Sequence, residues 1–262
     1  VGCGNASLAP CLLDLNIKGT YTGVDAAQIQ LSEAVQKRGN HDLALSLHSE
    51  TGIETFQTTE QFDLIASVYG LEYSPLEQSL PLLKKLLAPN GQLTLLMHHA
   101  ESVITEMSVK ALTEFDFDQM KKIVTYINDI NDELNQSQGN LKALSKSPKA
   151  EAARESVNEF ISSLMNKSTA ERNPILVDFS QNVLAFFKKV RQPEQQRRDF
   201  IDGILPDFHA SKERFTQMVN VARNEKQIKT FKTQLTAAGF NNVKIDPINN
   251  EGVPVAWNVH AN

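Results

Sequence analysis

The chain has few cysteines, no long apolar run and no long basic tract, and each absence excludes a class of protein. Two cysteines among 262 residues, Cys3 and Cys11, cannot form a disulfide framework and suit a reducing compartment, so we expect a cytoplasmic protein. No stretch approaches the ~18 uninterrupted apolar residues of a membrane span, and no signal peptide is visible. The formal net charge of -5, with acids and bases mixed along the chain, does not favour non-specific nucleic-acid binding.

The first hundred residues alternate short apolar runs with amphipathic helical patterns. We expect strands at residues 21–25, 43–48, 62–69 and 92–98, and helices at 26–37 and 76–87. Residues 88–91, Ala-Pro-Asn-Gly, are expected to form the turn that closes the second helix. This alternation predicts a parallel sheet with helices on both faces. The sequence opens at Val1 within a motif and without a methionine, so we expect a further segment upstream.

Residues 102–224 show helical periodicity and almost no strand signal. We expect roughly four to five helices, with breaks near residues 139–140, 147–148, 173–174 and 192–193. Three apolar faces are expected: Ile123, Ile127 and Ile130; Val157, Phe160, Ile161 and Leu164; and Val183, Leu184, Phe187 and Val190. A helix at 227–238 and strands at 243–245 and 253–259 follow. The simplest account is a core domain of residues 1–100 and 225–262, interrupted by a helical insert at 101–224.

A glycine turn opens the sequence, and an acid follows it about twenty residues later. Gly2 and Gly4 flank Cys3, and a Gly-x-Gly turn between a strand and a helix lets the backbone approach a ligand closely because no Cβ intervenes. Asp25 lies at the tip of the next strand, where a carboxylate can accept hydrogen bonds from both ribose hydroxyls of an adenosine. This spacing suits S-adenosylmethionine (SAM) or NAD, but Ser7 stands where nicotinamide enzymes have their third glycine.

Five motifs in this order resemble those of class I SAM-dependent methyltransferases. They are residues 1–5 (VGCGN), 23–25 (GVD), 62–65 (FDLI), 86–93 (LLAPNGQL) and 237–240 (AAGF) followed by Val243. The resemblance covers residues 1–100 and about 225–262. It implies an α/β fold with a Rossmann-like, mostly parallel seven-stranded sheet of order 3-2-1-4-5-7-6 and helices on both faces. It also implies that SAM lies over the C-terminal ends of the parallel strands.

The resemblance implies a set of cofactor-binding residues at four places along the core. The glycine turn approaches the methionine part of SAM, and the acid and its neighbour contact the ribose and adenine. The loop after the strand at 43–48 borders the adenine, and the end of the strand at 62–69 lies near the sulfonium. In that order the residues are Gly2, Cys3 and Gly4; Asp25 and Ala26; Ser49, Glu50 and Thr51; and Ser67, Val68 and Tyr69.

Two clusters are candidates for catalysis, because a general base is needed when the methyl acceptor carries a proton. Glu72 and Tyr73 follow the expected strand at 62–69, and His98 and His99 lie at the end of the expected strand at 92–98. Consecutive strand side chains face opposite sides, so only one of the two histidines can point into the cleft. That argues against a metal held by both, and no other ligand spacing predicts a metal site.

The favoured hypothesis is a methyltransferase that acts on a small molecule beneath a helical lid formed by the insert. An alternative is a SAM-binding regulatory or partner-docking protein without activity. A nicotinamide-dependent oxidoreductase is disfavoured by Ser7 and by the late strand pair. An RNA or protein substrate stays open, as does a homodimer formed through the insert. The acceptor and the atom methylated are not readable from the sequence.

Overall fold

The computed structural model describes residues 1–31, 33, 35, 43–113 and 115–262. The chain divides into two compact units. We call Val1–Glu106 with Met218–Asn262 the core unit, and Met107–Gln217 the helical unit. Within the described ranges, none of the helices combines the length and the apolar character that crossing a bilayer requires.

The strands of the described residues all belong to the core unit. They are β1 (Gly19–Val24), β2 (Leu43–His48), β3 (Phe62–Val68), β4 (Leu87–His98), β5 (Lys244–Asn250) and β6 (Val253–Ala261). β1 and β2 pair in parallel as one sheet. The second sheet has the order β3-β4-β6-β5, in which β3 is parallel to β4 and β6 is antiparallel to both of its neighbours. The mixed α/β class with parallel sheet pieces is therefore confirmed.

The prediction of a single seven-stranded sheet is wrong for the described residues, which form sheets of two and four strands. Both sheets follow parts of the expected order 3-2-1-4-5-7-6. The pair β2-β1 corresponds to its strands 3-2, and β3-β4-β6-β5 corresponds to its strands 4-5-7-6. Between them lie residues 1–3, where Cys3 N–H donates to Val24 O at 3.2 Å and the Val1 nitrogen donates to Ala66 O at 2.8 Å. These residues reach both sheets but are too few to form a ladder with either.

The helices occur in both units. They are α1 (Ala9–Asp14), α2 (Leu76–Leu86), α3 (Val103–Thr113), α4 (Phe117–Gln136), α5 (Leu141–Leu144), α6 (Pro148–Met165), α7 (Pro174–Lys189), α8 (Glu194–Val221) and α9 (Glu225–Ala237), with 3₁₀ turns at Ile53–Thr55, Leu71–Tyr73 and Thr169–Glu171. In the core unit, Leu83 of α2 and Phe231 of α9 join Leu93 and Leu95 of β4 and Val259 of β6 in one buried cluster. This cluster covers the four-stranded sheet and holds the strand ends in place.

Two local predictions in the core unit differ from the structure. Residues 88–91 lie within β4, where the pairing shifts from Phe62 opposite Leu87 to Leu64 opposite Gln92. Asn90 has φ of +65°, so the expected turn is a bulge that the strand absorbs before pairing resumes. The helix expected at 26–37 does not begin at 26, because residues 26–31 are not helical. Glu33 and Val35 are helical, and the rest of that prediction lies outside the described residues.

The helical unit confirms the four predicted breaks, because a helix begins just after each of them, and at two of them a polar side chain caps that helix. Ser147 accepts the N–H of Ala150 at the start of α6, and Asn173 accepts the N–H groups of Ile175 and Leu176 at the start of α7. The third predicted apolar face is partly wrong. Leu184 is exposed, whereas Phe179, Val183 and Phe186 are buried. These three follow the i, i+4, i+7 spacing of one helix face.

Candidate functional site

The glycine turn at the start of the chain is a close contact between two backbone segments. Gly2 and Gly4 have φ of +61° and +51°, a region that favours glycine. A Cβ built at Gly2 would lie 2.7 Å from Cα of Gly70, so no side chain fits between the turn and the end of β3. A Cβ at Gly4 would meet no described atom within 4 Å. The turn is therefore packed on one side and open on the other.

Asp25 holds the open side of this turn. Its Oδ2 accepts the N–H of Gly4 at 2.7 Å, and its Oδ1 accepts the N–H of Ala27 at 2.8 Å. Asp25 is half-buried, and Ala26 beside it is exposed. An ionised carboxylate has about four acceptor positions, so two backbone bonds leave room for ribose hydroxyls. The geometry therefore suits the sugar-binding role that the sequence predicts for Asp25.

The loops after β1 and β2 are joined by hydrogen bonds. Thr51 N–H donates to Asp25 O at 2.8 Å, and Glu50 N–H donates to Ala27 O at 3.1 Å. Ser49 Oγ accepts the N–H of Ile29 at 2.8 Å. The predicted adenine-bordering residues thus lie directly beside the predicted ribose-binding acid.

The end of β3 brings the last group of predicted cofactor residues to the same edge. Ser67 is buried, and its Oγ accepts the N–H of Leu71 at 2.8 Å. Val68 is exposed on the opposite face of the strand. Tyr69 has φ of +54°, which is uncommon for a residue with a bulky side chain. Such strain persists where the surroundings enforce it and is frequent at active sites.

Glu72 and His98, predicted from separate motifs, form a direct pair. Glu72 Oε1 accepts the backbone N–H of His98 at 3.1 Å and lies 2.9 Å from His98 Nδ1. The side chain of Glu72 is fully buried, whereas 12% of the His98 side chain is exposed. Among the described residues, Glu72 Oε2 is buried without a hydrogen-bond partner.

Two tyrosine rings flank His98. The ring centroid of Tyr69 lies 4.5 Å and that of Tyr73 5.9 Å from the imidazole centroid. Burial, followed by the negative charge of Glu72, raises the pKa of both phenols above the usual value. The two tyrosines therefore keep their protons at neutral pH and act as hydrogen-bond donors or aromatic walls.

His99 lies elsewhere, as strand alternation predicts for one of the two histidines. It is 3% exposed and stacks on Trp257, with ring centroids 4.4 Å apart. Its Nδ1 accepts the N–H of Glu101 at 3.0 Å. Burial lowers the pKa of His99, against the opposing effect of nearby acids. These contacts indicate a packed, neutral imidazole.

Arg223 is a residue of the site that sequence reasoning missed. Its N–H donates to His98 O at 3.0 Å, and its carbonyl accepts the N–H of Ala100 and Nε1–H of Trp257. Burial lowers the pKa of the guanidinium, while the charge of Glu72 acts in the opposite direction. Its Nε is buried without a partner among the described residues. Its place just before α9 is the only local signal for it, because its position depends on a tertiary bridge to His99, the residue after β4.

The described residues fit a SAM molecule at this edge. The turn is open at Gly4, where any Cβ would project into the free space, and the Asp25 carboxylate lies beside it. Among the described residues, no cluster of three or more His, Cys, Asp or Glu is arranged to hold a metal.

Comparison with protein families agrees with this geometry. Residues 1–91 match a family model described as a methyltransferase domain. A search of curated proteins found no match for the chain. The resemblance to class I SAM-dependent methyltransferases is thus confirmed for this segment, and the match supports a methyltransferase. It includes the glycine turn, Asp25 and Glu72, and it ends within β4.

Proposed function

We propose that the protein transfers a methyl group from SAM to a small-molecule acceptor. The observation that carries the proposal is the contact of Asp25 with the open glycine turn. That contact places an acceptor-rich carboxylate beside exposed backbone, as an adenosine ribose requires. SAM would supply a methyl group already activated on a sulfonium, and the protein would supply position and electrostatics.

Three groups of residues would hold the cofactor. The turn from Gly2 through Cys3 to Gly4 would face its methionine part, with Asp25 at the ribose and Ala26 at the adenine. The loop of Ser49, Glu50 and Thr51 would border the adenine edge. The end of β3, from Ser67 to Tyr69, would lie near the sulfonium.

The acceptor would bind beside the buried Glu72 and its histidine partner. Tyr73, with 43% of its surface exposed, and the partly exposed His98 are the accessible groups there. His99 is an equal candidate in the sequence, but its stacking on Trp257 suits a structural role. We therefore place catalysis at Glu72, Tyr73 and His98.

Calorimetric titration with S-adenosylhomocysteine tests the cofactor site. Loss of one hydrogen bond to a charged carboxylate costs about 1.5–3 kcal/mol, so Asp25→Ala should weaken binding by at least about 10- to 100-fold. Asp63→Ala is the matched control, since Asp63 is exposed near the opposite end of β3. Unchanged affinity in Asp25→Ala would refute the proposed site.

A broad acceptor panel with radiolabelled SAM tests turnover. Methylation of a small molecule supports the enzyme, whereas cofactor binding without turnover of any acceptor favours the regulatory alternative. Three expectations stay predictions. They are the domain boundaries at 1–100, 101–224 and 225–262, a helical segment that covers the acceptor, and a homodimer formed through that segment.

A further inference from the structure

The backbone N–H and the ring Nδ1 of His98 both lie within hydrogen-bond distance of one carboxylate oxygen, Glu72 Oε1. Glu72 Oε1 accepts the backbone N–H of His98, so this oxygen acts as an acceptor. Since a carboxylate oxygen only accepts, we assign a proton to Nδ1, which lies 2.9 Å from the same oxygen. In a neutral imidazole the other nitrogen, Nε2, is left with a free lone pair. A carboxylate that orients a histidine in this way favours proton abstraction by the far nitrogen.

The two members of the pair, Glu72 and His98, differ in their exposure to solvent. Glu72 is fully buried and is reached by no solvent, whereas His98 has an exposed edge. The titratable and charged groups around this imidazole are Glu72, the phenols of Tyr69 and Tyr73, and Arg223. On its own strand, His99 faces away and stacks on Trp257. Within the pair, His98 rather than Glu72 is thus the member that an incoming molecule can reach.

Arg223 supports this arrangement without touching the imidazole. Its backbone N–H donates to His98 O, and its carbonyl accepts the N–H of Ala100. These backbone bonds help to hold the end of β4, where His98 meets Glu72.

Resting on the methyl transfer proposed above, we propose that His98 Nε2, oriented by Glu72, removes the proton of an aromatic hydroxyl on the acceptor. A base is useful only where the nucleophile retains its proton. A thiol, with pKa about 8.5, ionises more readily and needs a base less, and a neutral amine already has a free lone pair. A phenol, with pKa about 10, keeps its proton at neutral pH and therefore needs the base. Tyr69 and Tyr73 supply aromatic surfaces against which a phenol ring can pack.

The proton and electron balance of the step is complete. An oxygen–carbon bond forms between the phenol and the methyl group, and the carbon–sulfur bond breaks with its electron pair staying on sulfur. The phenol proton passes to His98 Nε2, and Nδ1 keeps its hydrogen bond to Glu72. The resulting positive imidazolium is compensated by the Glu72 carboxylate.

The tautomer can be measured without any acceptor. Nitrogen-15 NMR of the full chain with labelled histidine, assigned with His98→Gln, should show protonated Nδ1 and unprotonated Nε2 at pH 8. Glu72→Gln should reduce this preference, because its amide can also donate to Nδ1. A proton on Nε2 in the unmodified protein would overturn the proposal, whatever the state of the cofactor site.

The acceptor class is tested with 4-methylphenol, 4-methylaniline and 4-methylbenzenethiol as matched probes. We expect transfer to the phenol, reduced by about 10²- to 10⁴-fold in His98→Gln. His260→Gln, at an exposed position of β6, is the matched control and should retain activity.

Three outcomes would contradict the assignment. They are phenol transfer that His98→Gln leaves intact, transfer to the aniline or thiol but not the phenol, and no phenol turnover by protein that binds S-adenosylhomocysteine. Absence of S-adenosylhomocysteine binding would instead refute the proposed function, so the two failures are distinguishable.

Discussion

Replacing Gly2 by alanine tests the close contact that shapes the glycine turn. The new methyl group would lie 2.7 Å from Cα of Gly70, which belongs to the backbone and cannot rotate away. The left-handed φ of +61° adds about 1–2 kcal/mol for a residue with a Cβ, and overpacking adds about 1–3 kcal/mol. Together these terms predict that Gly2→Ala loses about 2–5 kcal/mol of unfolding free energy.

Gly4→Ala is the matched variant, because its φ is similar but its Cβ would meet no described atom within 4 Å. It should lose only about 1–2 kcal/mol, from the backbone conformation alone. Its methyl group would project into the space assigned to SAM, so affinity for S-adenosylhomocysteine should fall although stability falls less.

Urea unfolding followed by tryptophan fluorescence measures both variants. Trp257 is the single tryptophan of the chain and is buried in the core unit, so its signal reports that unit. Equal destabilisation of the two variants would refute the contact between Gly2 and Gly70. Undiminished cofactor affinity in Gly4→Ala would refute the open side as the binding face.

Two further predictions concern buried polar groups. Because burial lowers the pKa of His99 below its usual 6.5, the unfolded chain binds that proton first as pH falls. The unfolding free energy should therefore decline as pH falls below about 6.5, and the plot of this free energy against pH should be less steep for His99→Gln than for the unmodified protein. Equal slopes for the two proteins would contradict this prediction. In the helical unit, Asn131 Oδ1 accepts Nε–H of buried Arg197 at 2.7 Å. Asn131→Ala should cost about 1–3 kcal/mol by circular dichroism, against about 0–1 for exposed Arg198→Ala, and equal losses would refute it.

Local signals account for the features that the amino-acid sequence predicts correctly. The strand at 43–48 is predictable from its short apolar run. The helix breaks at Ser147-Pro148 and Asn173-Pro174 are predictable because capping residues and prolines act within a few positions. The bulge at 88–91 is not predictable from such local signals. Its Pro-Asn-Gly sequence encodes a turn, and only pairing with β3 keeps it within a strand.

The glycine turn, the acid at position 25 and the α/β alternation can be predicted from residue type and short spacing. The contact of Glu72 with His98 rather than His99, and the place of Arg223 beside them, follow from the packing of the folded chain. Residues far apart in sequence come together through the packing of strands and helices, and no local pattern records which face of a strand end will receive them.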